Sequence, residues 1–253
     1  MAFDFPYQML DDVAHRPWPL PEGPWVMTQS WHDLLFAHWP VDARSLQEKL
    51  PAGLPLDTFD GQAWLGVVPF RMTNVAPRGV PPVPFVSSFV EMNVRTYVTL
   101  HGKPGVYFFS LDANSAIAVA AARALFGLPY YIATMQIERR GAQLVYTSAR
   151  ESRADGVAEF AATYRPIGAT VTPQPGSLEH FLTERYCLYT VDKDFRAKRL
   201  EIHHLPWPLQ AAEATIAVNT MADAAGIRLP ATAPLLHFVR RQDVVAWPLR
   251  DAD

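Results

Sequence analysis

The run Phe89-Val-Glu-Met-Asn-Val-Arg-Thr-Tyr97 alternates strictly, and a period of two commits it to a strand rather than a helix. Glu91, Asn93, Arg95 and Tyr97 share one face there, and Val90, Met92, Val94 and Thr96 share the other. Similar runs predict strands over 25–39, 63–72, 89–100, 105–111, 130–138, 143–150, 160–166, 186–191, 199–204, 214–218 and 235–240, with one more before the turn at 57–61. His101-Gly-Lys-Pro-Gly105 and Arg139-Arg-Gly-Ala142 read as hairpin turns. Helices are expected in only three places. One covers 41–50, capped by Asp42; one covers 115–126, capped by Asn114 and stopped by Gly127 and Pro129; one covers 177–185, capped by Ser177. Many strands with few helices make an α+β fold, mainly antiparallel β, whose sheet closes or nearly closes and so removes its exposed edges.

Hydrophobic residues make up 49 % of the 253 and charged residues 19 %, enough for one large core. Residues 1–24 are proline-dense and read as an extended arm lying over a single domain of 25–253. A net charge of −3 offers no footprint for nucleic acid. The pairs Arg139-Arg140 and Arg240-Arg241 are too short for a polyanion stripe and are expected at solvated turns or strand edges. The single cysteine, Cys187, excludes an internal disulfide and fits a reducing compartment. Asp4, Asp11 and Asp12 interrupt the N-terminus, so no secretory signal is read there. No stretch approaches the roughly 18 apolar residues of a spanning helix. The expected setting is the cytoplasm, with no membrane and no nucleic-acid partner.

Several chemistries lack their signatures. There is no phosphate-cradling glycine loop, no G-x-S-x-G and no H-E-x-x-H. His203 and His204 are strand neighbours that face opposite sides, so no metal site and no cofactor is predicted. Cys187 has no Cys-His surroundings and reads as a small buried hydrophobe. The four lysines, Lys49, Lys103, Lys193 and Lys198, fall on a helix end, a turn and charged loops. None has the apolar setting that depresses an amine for Schiff-base work.

The 89–97 strand carries the candidate site. A polar strand face usually meets water, yet in a closed sheet it can line a hollow while the opposite face packs in a core. Charges inside such a hollow must pair or meet a ligand, because an isolated buried charge costs several kcal/mol.

The strings Leu-Leu-Phe-Ala-His-Trp-Pro40, Val-Pro-Phe70, Glu91-Met-Asn-Val-Arg-Thr-Tyr97, Phe-Phe-Ser-Leu-Asp112, Leu-Pro-Tyr-Tyr131, Leu-Thr-Glu-Arg-Tyr186 and His-His-Leu-Pro-Trp207 resemble those of the YqjF-like bacterial proteins. That group sits in the acetoacetate decarboxylase-like superfamily, and the resemblance implies its closed β-barrel or cone with a few short helices. The decarboxylase pattern matches Glu91, then Gly102-Lys-Pro-Gly105, then Asp112, then Arg123-Ala-Leu-Phe-Gly127-Leu-Pro129-Tyr130-Tyr131. Tyr130 and Tyr131 stand where that family has its Schiff-base lysine and the neighbouring lysine, and a phenol cannot condense with a ketone. A family arginine of the first strand falls near His32.

The resemblance thus implies a pocket lined by His32, Glu91, Asn93, Arg95, Tyr97 and Tyr130 or Tyr131. Glu91, the tyrosines and His32 are the catalytic candidates; Arg95, Asn93 and Tyr97 are the ligand-binding ones. Arg95 suits a carboxylate, Glu91 a proton transfer, and a tyrosine hydroxyl a developing enolate. Three readings stay open. One is a lysine-independent lyase, isomerase or hydrolase acting on a small oxo- or carboxylate-bearing molecule. The second is a non-catalytic binder of a small apolar acid. The third is a structural protein in which Glu91 and Arg95 pair with each other and no cavity exists. The resemblance also allows a homo-oligomer, and the proline-rich loop 76–84 is a candidate lid.

Overall fold

In chain order the elements are β1 (Met27–Val41), α1 (Ala43–Gln47), β2 (Ala63–Pro77), β3 (Phe89–Leu100), β4 (Lys103–Ala113), α2 (Ala116–Phe126), β5 (Tyr130–Ile132), β6 (Thr134–Arg140), β7 (Gln143–Arg150), β8 (Ala158–Val171), α3 (Leu178–Thr183), β9 (Cys187–Val191), β10 (Ala197–His203), β11 (Leu209–Asn219), β12 (Leu235–Ala246) and β13 (Arg250–Asp251). They come from a computed structural model that describes residues 5–83, 86–151 and 156–252. The thirteen strands form one sheet in the order β13-β10-β9-β4-β3-β2-β1-β12-β11-β8-β7-β6, with β5 added to β4.

The sheet forks at β12. Near its C-terminal end, Val245 and Ala246 pair with His203 and Ile202 of β10, which closes β1, β2, β3, β4, β9, β10 and β12 into a ring. Near its other end, His237 and Phe238 pair with β11, which leads into β8, β7 and β6 as a second layer. Pairings are antiparallel except β4 with β5 and β4 with β9.

This layering explains why β3 is buried on both faces through its first ten residues. Val90, Met92 and Val94 pack outward with Tyr146, Phe160 and Tyr164 of the second layer. Inside the ring Leu34, Phe36, Val68, Phe70, Leu111 and Trp207 form a separate apolar cluster. The arm is tied to the ring: His203 Nε2 donates to Met9 O at 2.8 Å, His15 Nε2 to His204 O at 2.8 Å, and Arg16 Nη1 to Ile202 O at 2.8 Å. Phe5 and Met9 pack on Val245 and Trp247.

Several local expectations are corrected. The β3–β4 hairpin turns on two residues, His101 and Gly102, with φ of 51° and 73°, rather than five. Asp60 and Gly61 turn the same way, but two isolated bridges, Leu56 to Val98 and Phe59 to Gln62, precede β2 instead of a strand. Ser115, not Asn114, caps α2 by accepting from Ala118 N; Asn114 Oδ1 instead accepts from Val90 N at 2.9 Å and ties the helix start to β3. The 130–138 strand is broken at Ala133 into β5 and β6, and α1 is five residues long. Strands β8, β11 and β12 extend well past their expected limits, because β8 and β11 pair with each other out to Val171 and Leu209 and β12 pairs with β1 out to Ala246 and Met27. The double arginines keep to the solvated surface, as expected, with Arg139, Arg140 and Arg240 exposed. Arg139 Nη2 and Arg240 Nη1 both reach Asp33 Oδ1, at 2.8 and 2.9 Å. Among the described residues no helix is long and apolar enough to cross a membrane.

Candidate functional site

The ring encloses a cavity of about 410 Å³, within the range of small-molecule sites. Its walls are mostly apolar: Trp31, Leu34 and Phe36 from β1, Val68 and Phe70 from β2, Leu111 from β4, and Trp207. Helix α2 roofs it with Ala118, Ala122 and Phe126. The 115–126 segment forms a helix because it is alanine-rich, capped by Ser115, and ended by Gly127 in the left-handed region at φ 61°.

Three polar side chains enter from β3. Glu91, Asn93 and Arg95 alternate inward at 3 %, 5 % and 8 % exposure. Tyr130 of β5 joins them, its hydroxyl donating to Glu91 Oε2 at 2.9 Å. Thr183 and Arg185, at and just beyond the end of α3, complete the floor. Among the described residues no lysine lines the cavity.

Electrostatics differ sharply along this face. Burial pushes the Glu91 carboxyl up to about 8; the Tyr130 hydroxyl opposes that shift and Asp112 adds to it. Glu91 is therefore protonated at neutral pH, with the Tyr130 proton already committed to it. Burial and the adjacent carboxyl drive the Tyr130 phenol well above its ordinary value. Arg95 lies deeper. Its Nη2 donates to Leu182 O at 3.2 Å, its guanidinium carbon sits 5.1 Å from the Phe36 ring centroid, and its Nε has no hydrogen-bond partner. Among the described residues no carboxylate pairs with it. Asn93 Oδ1 is likewise unpartnered. Arg185, by contrast, is bound to Asp57 Oδ2 at 2.7 Å.

Glu91 and Arg95 thus do not neutralise each other, and a hollow is present, so the pairing and filled interior expected of a purely structural protein are not found. Four residues of strand separate their Cα atoms by about 13 Å, and the Arg95 guanidinium leans away toward the Tyr97 ring at 5.8 Å.

Other candidates lie elsewhere. Tyr97 is on the same face, but α3 separates it from the cavity. Its hydroxyl donates to Leu182 O at 2.9 Å and accepts from His38 Nε2 at 2.6 Å. His32 faces the opposite side of β1 from Trp31 and is bonded to Thr73 Oγ1 at 2.8 Å. The cause is a bulge at Asp33, whose φ is 54°: inward positions run Gln29, Trp31 and then Leu34, Phe36. Burial, then Arg71 and Arg241, lower the His32 ring to about 4. Tyr131 alternates away from Tyr130, and its ring lies 4.1 Å from the Arg150 guanidinium carbon. Beside it Asp112 and Arg150 form a buried pair at 3.1 Å between the two layers.

Thr183, Arg185, Trp31, Trp207 and the α2 face escaped sequence reasoning. The Leu-Thr-Glu-Arg-Tyr186 string, where a helix ends in an arginine before a strand, was the one signal for the first two. The loop expected as a lid contributes Ala76 and Pro77 to the cavity mouth, as does Val86 beyond it, while positions 84 and 85 lie outside the described residues. A larger cleft of about 490 Å³ between the arm and β13 has its Lys103 and Arg199 paired with Glu201 at 3.2 and 3.1 Å. Among the described residues no cluster of three His, Cys, Asp or Glu side chains converges as a metal site.

Comparison with known proteins agrees with this fold. The uncharacterised protein YqjF of Bacillus subtilis (strain 168) is 51 % identical over 231 residues, covering 91 % of this chain and 94 % of that protein. Solved structures with the same fold include the enduracididine biosynthesis enzyme MppR bound to the condensation product of pyruvate and imidazole 4-carboxaldehyde. It has a TM-score of 0.63 and 13 % identity, over 90 % of both chains. Acetoacetate decarboxylase from Legionella pneumophila has a TM-score of 0.61 and 14 % identity, over 97 % of this chain and 95 % of that one. At such identities the likeness establishes the acetoacetate decarboxylase-like fold and nothing finer. Residues 28–243 match the DUF2071 family of uncharacterised conserved proteins, and the chain belongs to that family.

Proposed function

We propose that this protein takes a small organic acid into the ring cavity, with Arg95 receiving the carboxylate, and acts on it as a lysine-independent lyase, isomerase or hydrolase. The observation that carries the reading is the Arg95 guanidinium, which is buried, lines the cavity and has no carboxylate partner among the described residues. An unpaired buried charge costs several kcal/mol, and a ligand carboxylate removes that cost through a charge-assisted pair.

The same cavity holds an acid. Protonated Glu91 can donate to a carbonyl or hydroxyl oxygen and take the proton back, the role of a carboxyl whose pKa lies near the working pH. Tyr130, whose own proton goes to Glu91, acts as a positioning residue rather than a donor to substrate. The absence of lysine from the wall supports chemistry without an imine, and borohydride treatment with a ketone is expected to leave no adduct on any lysine. Binding without turnover needs Arg95 alone; the Glu91–Tyr130 contact is what favours the enzyme.

Thermal unfolding with a panel of carboxylic and oxo acids tests the anchor. A ligand at a hundredfold over Kd adds about 2.7 kcal/mol, and at 2–4 °C per kcal/mol that is roughly 5–10 °C. Arg95→Met should abolish the response. An unchanged response in that variant would show that the acid binds elsewhere. Turnover lost in Glu91→Gln with binding retained would assign the acid role.

A further inference from the structure

The polarity of the cavity runs opposite to what a short, water-soluble acid needs. Its deep end carries Asn93, Arg95, Thr183 and Arg185, whereas its mouth is ringed by Val26, Met27, Pro77, Val86, Ile117 and Leu125. Ile117 is 63 % exposed, Leu125 68 % and Val86 37 %, so apolar surface continues from the cavity wall out to solvent. Gln29 is the polar side chain near this rim, and its Oε1 is taken by Trp31 Nε1 at 2.8 Å. A two- to five-carbon acid seated on Arg95 would leave that apolar throat uncovered.

We infer that the ligand is an amphiphile, a carboxylate on a linear aliphatic chain, which enters head first and leaves its tail between α2 and the rim. This rests on the reading of Arg95 as the anion anchor.

The length and the volume of the cavity both suit such a chain. From Phe89 at the rim to Arg95 is six residues, about 20 Å of strand, or roughly 15 Å along a barrel axis at the usual tilt. An extended chain advancing about 1.2 Å per bond spans that with about 12 bonds. The volume of about 410 Å³ falls in the range that takes a ligand of that size. The same geometry places Glu91 partway along the tail, about four residues of strand above the head. The acid would therefore face a mid-chain oxygen and not one adjacent to the carboxylate.

The test is isothermal titration of the straight-chain acids from butanoate to tetradecanoate, each below its micellar concentration, against wild type, Arg95→Met and the double variant Ile117→Gln/Leu125→Gln. Affinity should rise about fourfold per methylene and level off near 12 carbons. The double variant should flatten the rise for chains of ten carbons and longer. Arg95→Met should weaken every length by at least tenfold. Equal affinity from butanoate to dodecanoate, still lost in Arg95→Met, would overturn the amphiphile and leave the anchor standing. A chain-length rise untouched by Arg95→Met would remove the anchor, and the inference with it. A double variant that keeps the full rise, or that changes only the oligomeric state in sedimentation, would show the α2 rim to be a surface for something else and overturn the inference.

Discussion

Replacing Glu91 by glutamine removes a titration that burial has displaced. The carboxyl is moved from 4.5 up to about 8, mainly by loss of hydration and further by the charge of Asp112. Over that interval the folded protein holds a proton that the unfolded chain has released. The stability attached to that proton is complete below about pH 4.5 and is lost progressively as the pH rises through about 8. At about 1.36 kcal/mol for each pH unit crossed, the interval removes roughly 5 kcal/mol. Glutamine keeps the shape, can accept from the Tyr130 hydroxyl through its amide oxygen, and does not titrate. Thermal unfolding followed by circular dichroism should therefore find the two proteins close at pH 5 and the variant ahead at pH 9. For a chain of this size, 2–4 °C per kcal/mol makes that lead roughly 10–20 °C. Titrations common to both proteins cancel in the difference. A gap between the two midpoints that is the same at pH 5 and pH 9 would refute the displaced carboxyl, and with it a neutral acid at Glu91 at physiological pH.

Other perturbations reach the frame that holds the site. A Cβ at Gly105 would stand 2.7 Å from Cys187 Sγ and 2.8 Å from Cys187 O, so Gly105→Ala should lose about 1–3 kcal/mol in urea unfolding; an unchanged midpoint would mean that β4 and β9 are less closely packed. Asp112→Asn removes the carboxylate charge that lies 3.1 Å from the Arg150 guanidinium, 2 % exposed. That should lower stability in urea unfolding at pH 7 by at least about 1 kcal/mol, and an unchanged midpoint would contradict a buried pair. Ser115→Ala removes the α2 cap and should cost about 1 kcal/mol, read as a lower thermal midpoint.

What the sequence disclosed follows from how local each cue is. The inward face of β3 was legible because alternation needs only the strand itself, and Glu91, Asn93 and Arg95 are spaced by two. The fate of His32 was not, since the resemblance set it only near a family arginine, and the bulge at Asp33 puts it out of phase with Leu34 and Phe36, which face the cavity. That bulge is held from afar by Arg139 and Arg240, which converge on the Asp33 carboxylate, while Tyr164 donates to its carbonyl. Tyr97 failed differently: its face was read correctly, but α3 crosses beneath it and no strand pattern announces a helix from 80 residues further on. Tyr130 and Tyr131 could be narrowed to one only by the pairing of β5 with β4. The roofing role of α2 was hidden as well, because an alanine-rich helix carries little information about which side it buries.

The closure of the ring has its own consequence for motion. Ile202–Ala246 and His203–Val245 are the residue pairs that join β10 to β12, against eleven that join β1 to β12. A joint so short opens with less free energy than the rest of the wall, and local stability should be lowest there. Strapped across it are Met9, His15 and Arg16. These contacts make the arm the brace that governs how often the wall parts. Amide exchange at Ile202 and Val245 should quicken when His15 and Arg16 are replaced by alanine, while exchange along β1 keeps its pace.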